Sequence, residues 1–130
     1  TRIIGYACWK VGKTEEADYY FNLQKKISLE SIEKGRLNTS RMIDYVDLAS
    51  VYAFQGDKEN AYKYLEELYK KKVFGKWWTY LIKEDPLFNS IRNEPRYQAI
   101  IKHIEAGFQA EHDRVGKWLE EQGKLQPDGR

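Results

Sequence analysis

The chain has 130 residues, which is long enough for one hydrophobic core and too short for two ordinary domains. Its hydrophobic share of 42%, with 15% aromatic residues, excludes a chain that is disordered throughout. A formal net charge of +2 gives no electrostatic basis for a nucleic-acid surface, and the single cysteine, Cys8, excludes an internal disulfide.

The chain opens on a helical pattern that has no capping residue ahead of it. Thr1 is not an initiator methionine, so we expect the chain to be a piece of a longer protein. A second helix is predicted to begin with Thr14 as its N-cap and to end at Gly35, a residue type that favours helix C-termini. Residues 1–35 are therefore predicted to form a first helical hairpin, with Cys8 as a small buried side chain.

The next segment, about residues 40–73, predicts a complete second hairpin. Thr39 or Ser40 would cap its first helix, and Gly56 would form the turn into its second helix. Apolar residues recur at helical spacing on both sides of this turn, at Tyr45, Leu48, Ala49 and Tyr52 and then at Ala61, Tyr64, Leu65 and Leu68. The lysine run 70–72 falls where the second helix should end, and cations are favourable there.

Residues 74–123 predict a degenerate closing unit that ends in a long helix. Asp85-Pro86 and Glu94-Pro95 are both helix-start signals, with an acidic cap before a proline at the first helical position. An apolar stripe runs from Tyr97 through Ile100, Ile101, Ile104 and Phe108, and Val115 and Leu119 would extend it toward a stop at Gly123. One domain is thus predicted over residues 1–125, with 126–130 as a flexible tail.

The two hairpins carry the same pattern of residues. In the second copy the pattern is Tyr45, Leu48, Ala49, Tyr52, Gly56, Ala61 and Leu65, and in the first copy it is Ile4, Gly5, Cys8, Gly12, Ala17 and Phe21. This pattern resembles the tetratricopeptide repeat (TPR) family, whose signature is W-x2-L-G-x2-Y followed by an alanine. The resemblance implies an all-α fold of stacked antiparallel helical hairpins, a TPR-like α-α superhelix that here ends in a long C-terminal helix. It also implies a scaffold that binds a protein or peptide and carries out no chemistry.

The segment from Asp85 to Ile101 is similar to the stretch that closes repeat arrays in many bacterial regulators. That resemblance implies the C-terminal part of a bacterial regulatory protein, without the effector domain itself. The use of a single cysteine favours a cytoplasmic location, with the periplasm as the alternative.

The register of the repeats predicts which side chains face the inner groove. These partner-binding residues are Tyr6, Trp9, Val46, Ser50, Ala53 and Phe54. Trp9 and Phe54 would be its anchors, because aromatic residues are the usual hot spots of interfaces. Val46, Asp47 and Ser50 stand where the family's peptide readers need cationic and amide groups, so a clamp for a terminal carboxylate is disfavoured. In the alternative interpretation, other parts of the protein cover these aromatics.

No arrangement of residues predicts catalysis, a metal site or a cofactor. His103 and His112 are nine positions apart and out of phase on a helix, with no cysteine nearby. His112 falls on the extended apolar stripe, where we expect it to be partly buried. There is no nucleophile elbow and no glycine-rich phosphate loop, so we expect a protein that is not an enzyme.

The function predicted first is a protein-protein interaction module. One alternative is a structural cap or a self-association domain, a homodimer that forms through the helix from Phe108 to Leu119. Another is a small-molecule sensing segment for a fused effector. No nucleic-acid partner is expected, and no stretch approaches the roughly 20 apolar residues of a membrane span.

Overall fold

The computed structural model describes residues 1–35, 42–70 and 76–124, of which residues 76–78 are described by their backbone alone. These residues are helical and include no strand, so the predicted all-α fold with a long C-terminal helix is confirmed. The α-helices are α1 (Arg2–Lys10), α2 (Thr14–Glu33), α3 (Ile43–Phe54), α4 (Lys58–Lys70), α5 (Lys76–Glu84) and α6 (Pro95–Glu121), and a 3-10 turn lies at Pro86–Phe88. The predictions for Thr39, Ser40, the end of the lysine run and the tail 126–130 lie outside the described residues.

Consecutive helices pack as pairs, α1 with α2, α3 with α4 and α5 with α6. Three further contacts join one pair to another: α2 packs on α3, α4 packs on α6, and the 3-10 turn packs on α3. The helices that follow the two turns differ in length, since α2 has 20 residues and α4 has 13.

The turns of the first two hairpins have the same geometry. Gly12 and Gly56 have φ angles of 82° and 84°, in the left-handed region that costs glycine nothing. The Gly12 N–H donates to the Trp9 carbonyl at 3.0 Å, and the Gly56 N–H donates to the Ala53 carbonyl at 3.2 Å. The next N–H in each turn reaches back five residues, as in a Schellman motif. The two turns that the sequence pattern aligns therefore also correspond in structure.

Two of the predicted helix starts differ in detail from those in the structure. Thr14 is the first residue of α2, and Lys13 occupies the N-cap position without a side-chain hydrogen bond. Asp85 caps as predicted, accepting from the Leu87 N–H at 2.9 Å, but the element it starts is only the 3-10 turn. The long helix begins at Pro95, after the second predicted signal.

The α3 helix lies at the centre of the molecule. Its buried residues are Asp44, Tyr45, Val46, Leu48, Ala49, Ser50, Val51 and Ala53. The core continues from α3 into α4, into the segment after α5 and into the first turns of α6, where Ile104 is the last buried residue. Burial of this apolar surface is the main source of stability in such a domain.

Gly5 marks a close approach of α1 to α2. A Cβ atom at Gly5 would lie 2.8 Å from Cε1 of Phe21 and 3.3 Å from the Ala17 carbonyl oxygen. Phe21 is only 1% exposed, so its ring has no solvent to move into. A residue without a side chain is therefore needed at this crossing.

Gly5→Ala is expected to destabilise the protein by about 1–3 kcal/mol through overpacking. Gly116→Ala is the matched control, because Gly116 is also helical and a Cβ there would meet nothing within 4 Å. The control is expected to raise stability by about 0.5–1 kcal/mol, since alanine is the better helix former. Urea unfolding of both variants measures this, and equal shifts would contradict the close-approach account.

Arg2 joins the first helix to two later parts of the chain. Its Nε donates to Asp47 on α3 at 2.6 Å, and its Nη1 donates to the Asp85 carboxylate. The three side chains are 6–17% exposed, so the ion pairs are largely out of water. Burial raises the pKa of Asp47, while Arg2 acts in the opposite direction.

Arg2→Ala is expected to cost roughly 3 kcal/mol at pH 7, because it leaves two largely buried carboxylates without their cation. The cost should shrink as the pH falls, since burial raises the pKa of Asp47 and its protonation removes one of the two charges that Arg2 compensates. The exposed pair Arg114–Glu111 provides the control, and Arg114→Ala is expected to change stability by less than about 0.5 kcal/mol. If the loss of stability caused by Arg2→Ala does not depend on pH, this account is contradicted.

The C-terminal half of α6 differs from the prediction. His112 has a side chain 70% exposed, so the expectation that it is partly buried is wrong. Val115 and Trp118 are also exposed, at 39% and 48%. The apolar stripe continues along the helix as the sequence predicts, but beyond Ile104 none of its residues is buried.

Candidate partner-binding surface

Three of the six predicted groove residues are buried in the core. Val46, Ser50 and Ala53 are each 0% exposed, so the prediction that they face a groove is wrong. The Ser50 hydroxyl donates to the Asp47 carbonyl at 2.7 Å, and the Ser90 hydroxyl donates to the Ala53 carbonyl at 3.0 Å. The physical reason is that the segment after α5 packs directly on α3 and covers the face that an open groove would expose.

The other three predicted residues form an aromatic cluster between α1 and the end of α3. The Trp9 and Phe54 rings meet edge to face, with centroids 5.0 Å apart, and Tyr6 stacks on Trp9 at 5.9 Å. Phe54 also contacts Phe21 in the core at 5.0 Å, which anchors the cluster. Trp9 is 47% exposed, while Tyr6 and Phe54 are half-buried. This cluster, called the Trp9 cluster below, is an exposed aromatic surface with a rigid base.

A cleft of about 280 Å³ lies beside the Trp9 cluster, between α1 and the end of α5. We call it the α1–α5 cleft. It is lined by Arg2, Ile3, Tyr6, Tyr80, Leu81, Glu84, Asp85, Pro86 and Leu87. Ile3 is 71% exposed and Tyr80 is 58% exposed, so large apolar groups are open to solvent at its rim. The lining is mainly apolar, with charged groups at one end.

A second cleft, of about 410 Å³, lies on the other side of the Trp9 cluster. We call it the Trp9 cleft, and it is lined by Trp9, Thr14, Asp18, Phe21, Phe54 and Gln55. The α1–α5 cleft and the Trp9 cleft are neighbours, because Tyr6 lines the first, Trp9 lines the second and the two rings stack.

The electrostatics of the two clefts follow from which charges are already paired. Among the described lining residues Arg2 is the only cation, and both hydrogen bonds of its guanidinium are to carboxylates. Glu84 and Asp18 are exposed and make no hydrogen bond or ion pair with any described residue. Each cleft therefore contains one carboxylate that has no partner among the described residues, Glu84 in the α1–α5 cleft and Asp18 in the Trp9 cleft.

Sequence reasoning missed Ile3, Leu81 and Glu84. The repeat pattern directs attention to the first helices of the two clear copies, whereas these residues belong to the chain start and to the degenerate third unit. The one signal nearby is the aromatic run that includes Tyr80, and that run does not indicate which of its members is exposed. The structure does not describe the side chains of Trp77 and Trp78 in the same run.

The remaining candidate groups show no chemistry among the described residues. His103 is exposed beside the Tyr69 ring, with centroids 4.9 Å apart, and His112 lies on the exposed part of α6. Cys8 is half-buried, with its sulfur 3.9 Å from a Glu16 carboxylate oxygen. No group of three or more potential metal ligands is present in ranges 1–35, 42–70 and 76–124. None of the helices in these ranges has the length and apolar character needed to span a bilayer.

Comparison with known proteins yields no match. No protein-family model, no curated protein and no solved structure matches this chain.

The burial of the α3 face can be tested by adding volume to it. Ala53→Leu is expected to destabilise the protein by about 1–3 kcal/mol, because its neighbours leave no space. Ala7 on α1 is exposed, and Ala7→Leu is expected to change stability by less than about 0.5 kcal/mol. Thermal or urea unfolding would measure both, and a tolerated Ala53→Leu would indicate that the face is open after all.

Proposed function

We propose that this chain is a non-catalytic protein-protein interaction module of the TPR type, from the C-terminal part of a bacterial regulatory protein. The observation that carries the binding role is that the mainly apolar α1–α5 cleft adjoins the exposed aromatic rings of the Trp9 cluster, which also border the Trp9 cleft. Ile3, Trp9 and Tyr80 are each about half exposed or more, on neighbouring parts of one face. Grouped exposed apolar side chains mark interaction sites more often than scattered ones do.

The repeat character is supported by the two equivalent turns. Gly12 and Gly56 close their hairpins with the same φ angles and the same backbone hydrogen bonds. Ala17 and Ala61 follow at the same distance, and both are buried. A helical-repeat scaffold that presents its first helices to a partner is consistent with these features and with a cleft that includes α1 and α5.

The rigid base of the surface supports recognition of a partner over a structural role alone. Phe54 contacts the buried Phe21, and Leu87 at the base of the α1–α5 cleft is 2% exposed. The exposed rings are therefore held in place before a partner arrives, which reduces the entropy lost on binding.

Self-association through α6 is the second candidate. It is favoured by one observation, the exposed Val115 and Trp118 on the half of α6 that follows the last buried residue. A solution mass measurement tests it, because a dimer should dissociate when Trp118 is replaced by Ser.

The proposed function can be tested by site-specific photo-crosslinking. A photoreactive phenylalanine analogue replaces Ile3 in one variant and Tyr19 in another, and each is irradiated in lysate of the source cells. Tyr19 on α2 is the matched control, because it is 63% exposed but lines neither cleft. We expect a discrete adduct at position 3 that is absent at position 19.

Adducts that are identical at both positions would show that the surface is not selective and would contradict the proposal. An adduct at position 3 whose mass equals two copies of the chain would support self-association through this face and not a foreign partner.

A further inference from the structure

We propose that the clefts select a basic peptide segment, with apolar side chains in the α1–α5 cleft and lysine or arginine side chains paired with Glu84 and Asp18. This inference rests on the proposed function and deepens it, by naming the chemistry of the partner. The argument depends on charge, since an apolar cleft alone does not distinguish among partners.

The first step is that Arg2 is not available to a ligand. Its guanidinium donates to Asp47 through Nε and to Asp85 through Nη1, and its side chain is only 14% exposed. An acidic peptide entering the α1–α5 cleft would have to compete with two carboxylates that already hold the cation. The acidic side chains of such a peptide would also approach the Glu84 carboxylate, and like charges repel.

The second step is that each cleft contains a carboxylate that has no partner among the described residues. Glu84 lines the α1–α5 cleft beside Leu81, and Asp18 lines the Trp9 cleft beside the exposed Trp9 ring. A lysine or arginine next to Asp18 could also contact the face of Trp9, which attracts cations. Both clefts thus offer an apolar contact together with a negative charge.

The third step concerns spacing. Ile3 and Trp9 mark the two ends of the surface on α1, and six residues of α-helix rise about 9 Å. An extended peptide covers about 3.3 Å per residue, so this distance corresponds to roughly three residues. The geometry points to pairs of one apolar and one basic residue, repeated three positions apart.

The test uses three blocked heptapeptides labelled with a fluorophore. Each contains two leucines three positions apart, and the residue after each leucine is lysine in the first peptide, glutamine in the second and glutamate in the third. Fluorescence anisotropy at about 50 mM salt measures their affinity for the whole chain. We expect the lysine peptide to bind about tenfold or more tightly than the glutamate peptide, with the glutamine peptide between them.

Matched variants locate the interaction. Glu84→Gln is expected to weaken binding of the lysine peptide by about twofold to fivefold, the effect of one exposed ion pair, and to leave the glutamine peptide unchanged. Glu59→Gln is the control, because Glu59 is an exposed carboxylate on α4 that lines neither cleft. Ile3→Ser should weaken all three peptides without loss of stability, since Ile3 is mostly in solvent.

Several outcomes would overturn the inference. Equal binding of the three peptides, or tighter binding of the glutamate peptide, would show that the clefts do not select cations, although the proposed binding function would survive. A lysine-peptide affinity that Glu84→Gln and Glu59→Gln reduce equally would indicate nonspecific attraction. If no peptide binds while the adduct at position 3 is observed, the surface binds a partner of another chemistry and the inference fails alone.

Discussion

The architecture depends on the ion pairs that Arg2 makes with Asp47 and Asp85. Arg2 lies at the start of α1, Asp47 is on the central helix α3 and Asp85 precedes the 3-10 turn. One guanidinium therefore links the first hairpin, the second hairpin and the closing unit. Asp85 is fixed in turn because its other carboxylate oxygen caps the Leu87 N–H.

A second polar group supports the start of α1. The Gln24 side-chain oxygen accepts from the Thr1 hydroxyl and from the Arg2 N–H, and its amide nitrogen donates to Ser28 at 3.0 Å. Gln24 and Ser28 are both buried, so the bond between them is shielded from water. They hold the backbone of Arg2 at the position from which its side chain reaches both carboxylates. The α1 face that lines the clefts is therefore positioned by polar contacts as well as by apolar packing.

Much of the fold could be predicted from the sequence because its signals are local. Gly12 and Gly56 need positive φ angles, and Pro95 needs the first turn of a helix, whatever the rest of the chain does. The predicted repeats also placed Trp9 and Phe54 together, since both follow from hairpin register.

Only part of the candidate site could be predicted, because the rest depends on packing between residues that are far apart in the sequence. The repeat register treats Val46, Ser50 and Ala53 as open, and nothing local indicates that the segment around Phe88 covers them. Phe88 and Ile91 belong to the same core cluster as Val46, an arrangement that no spacing rule encodes. For the same reason, the sequence alone could not predict that the exposed Ile3 and the half-buried Leu81 line one cleft between α1 and the end of α5.

The surface that results has a defined chemical character. Its apolar part is held by the core through Phe54 and Leu87, and the only cation among its described lining residues is paired within the fold. Under the proposed binding mode, the interaction that joins the hairpins also sets the charge that a peptide would meet.

The central claim is that Arg2 and Asp85 join the first hairpin to the closing unit, and a double-mutant cycle tests it most directly. Urea unfolding of Arg2→Met, Asp85→Asn and the double variant gives the coupling free energy of the pair. This account predicts a coupling of about 1–3 kcal/mol, because the two groups are in contact and largely buried. If the stability losses of the two single variants sum to the loss of the double variant within about 0.3 kcal/mol, the two residues do not interact and the account is contradicted.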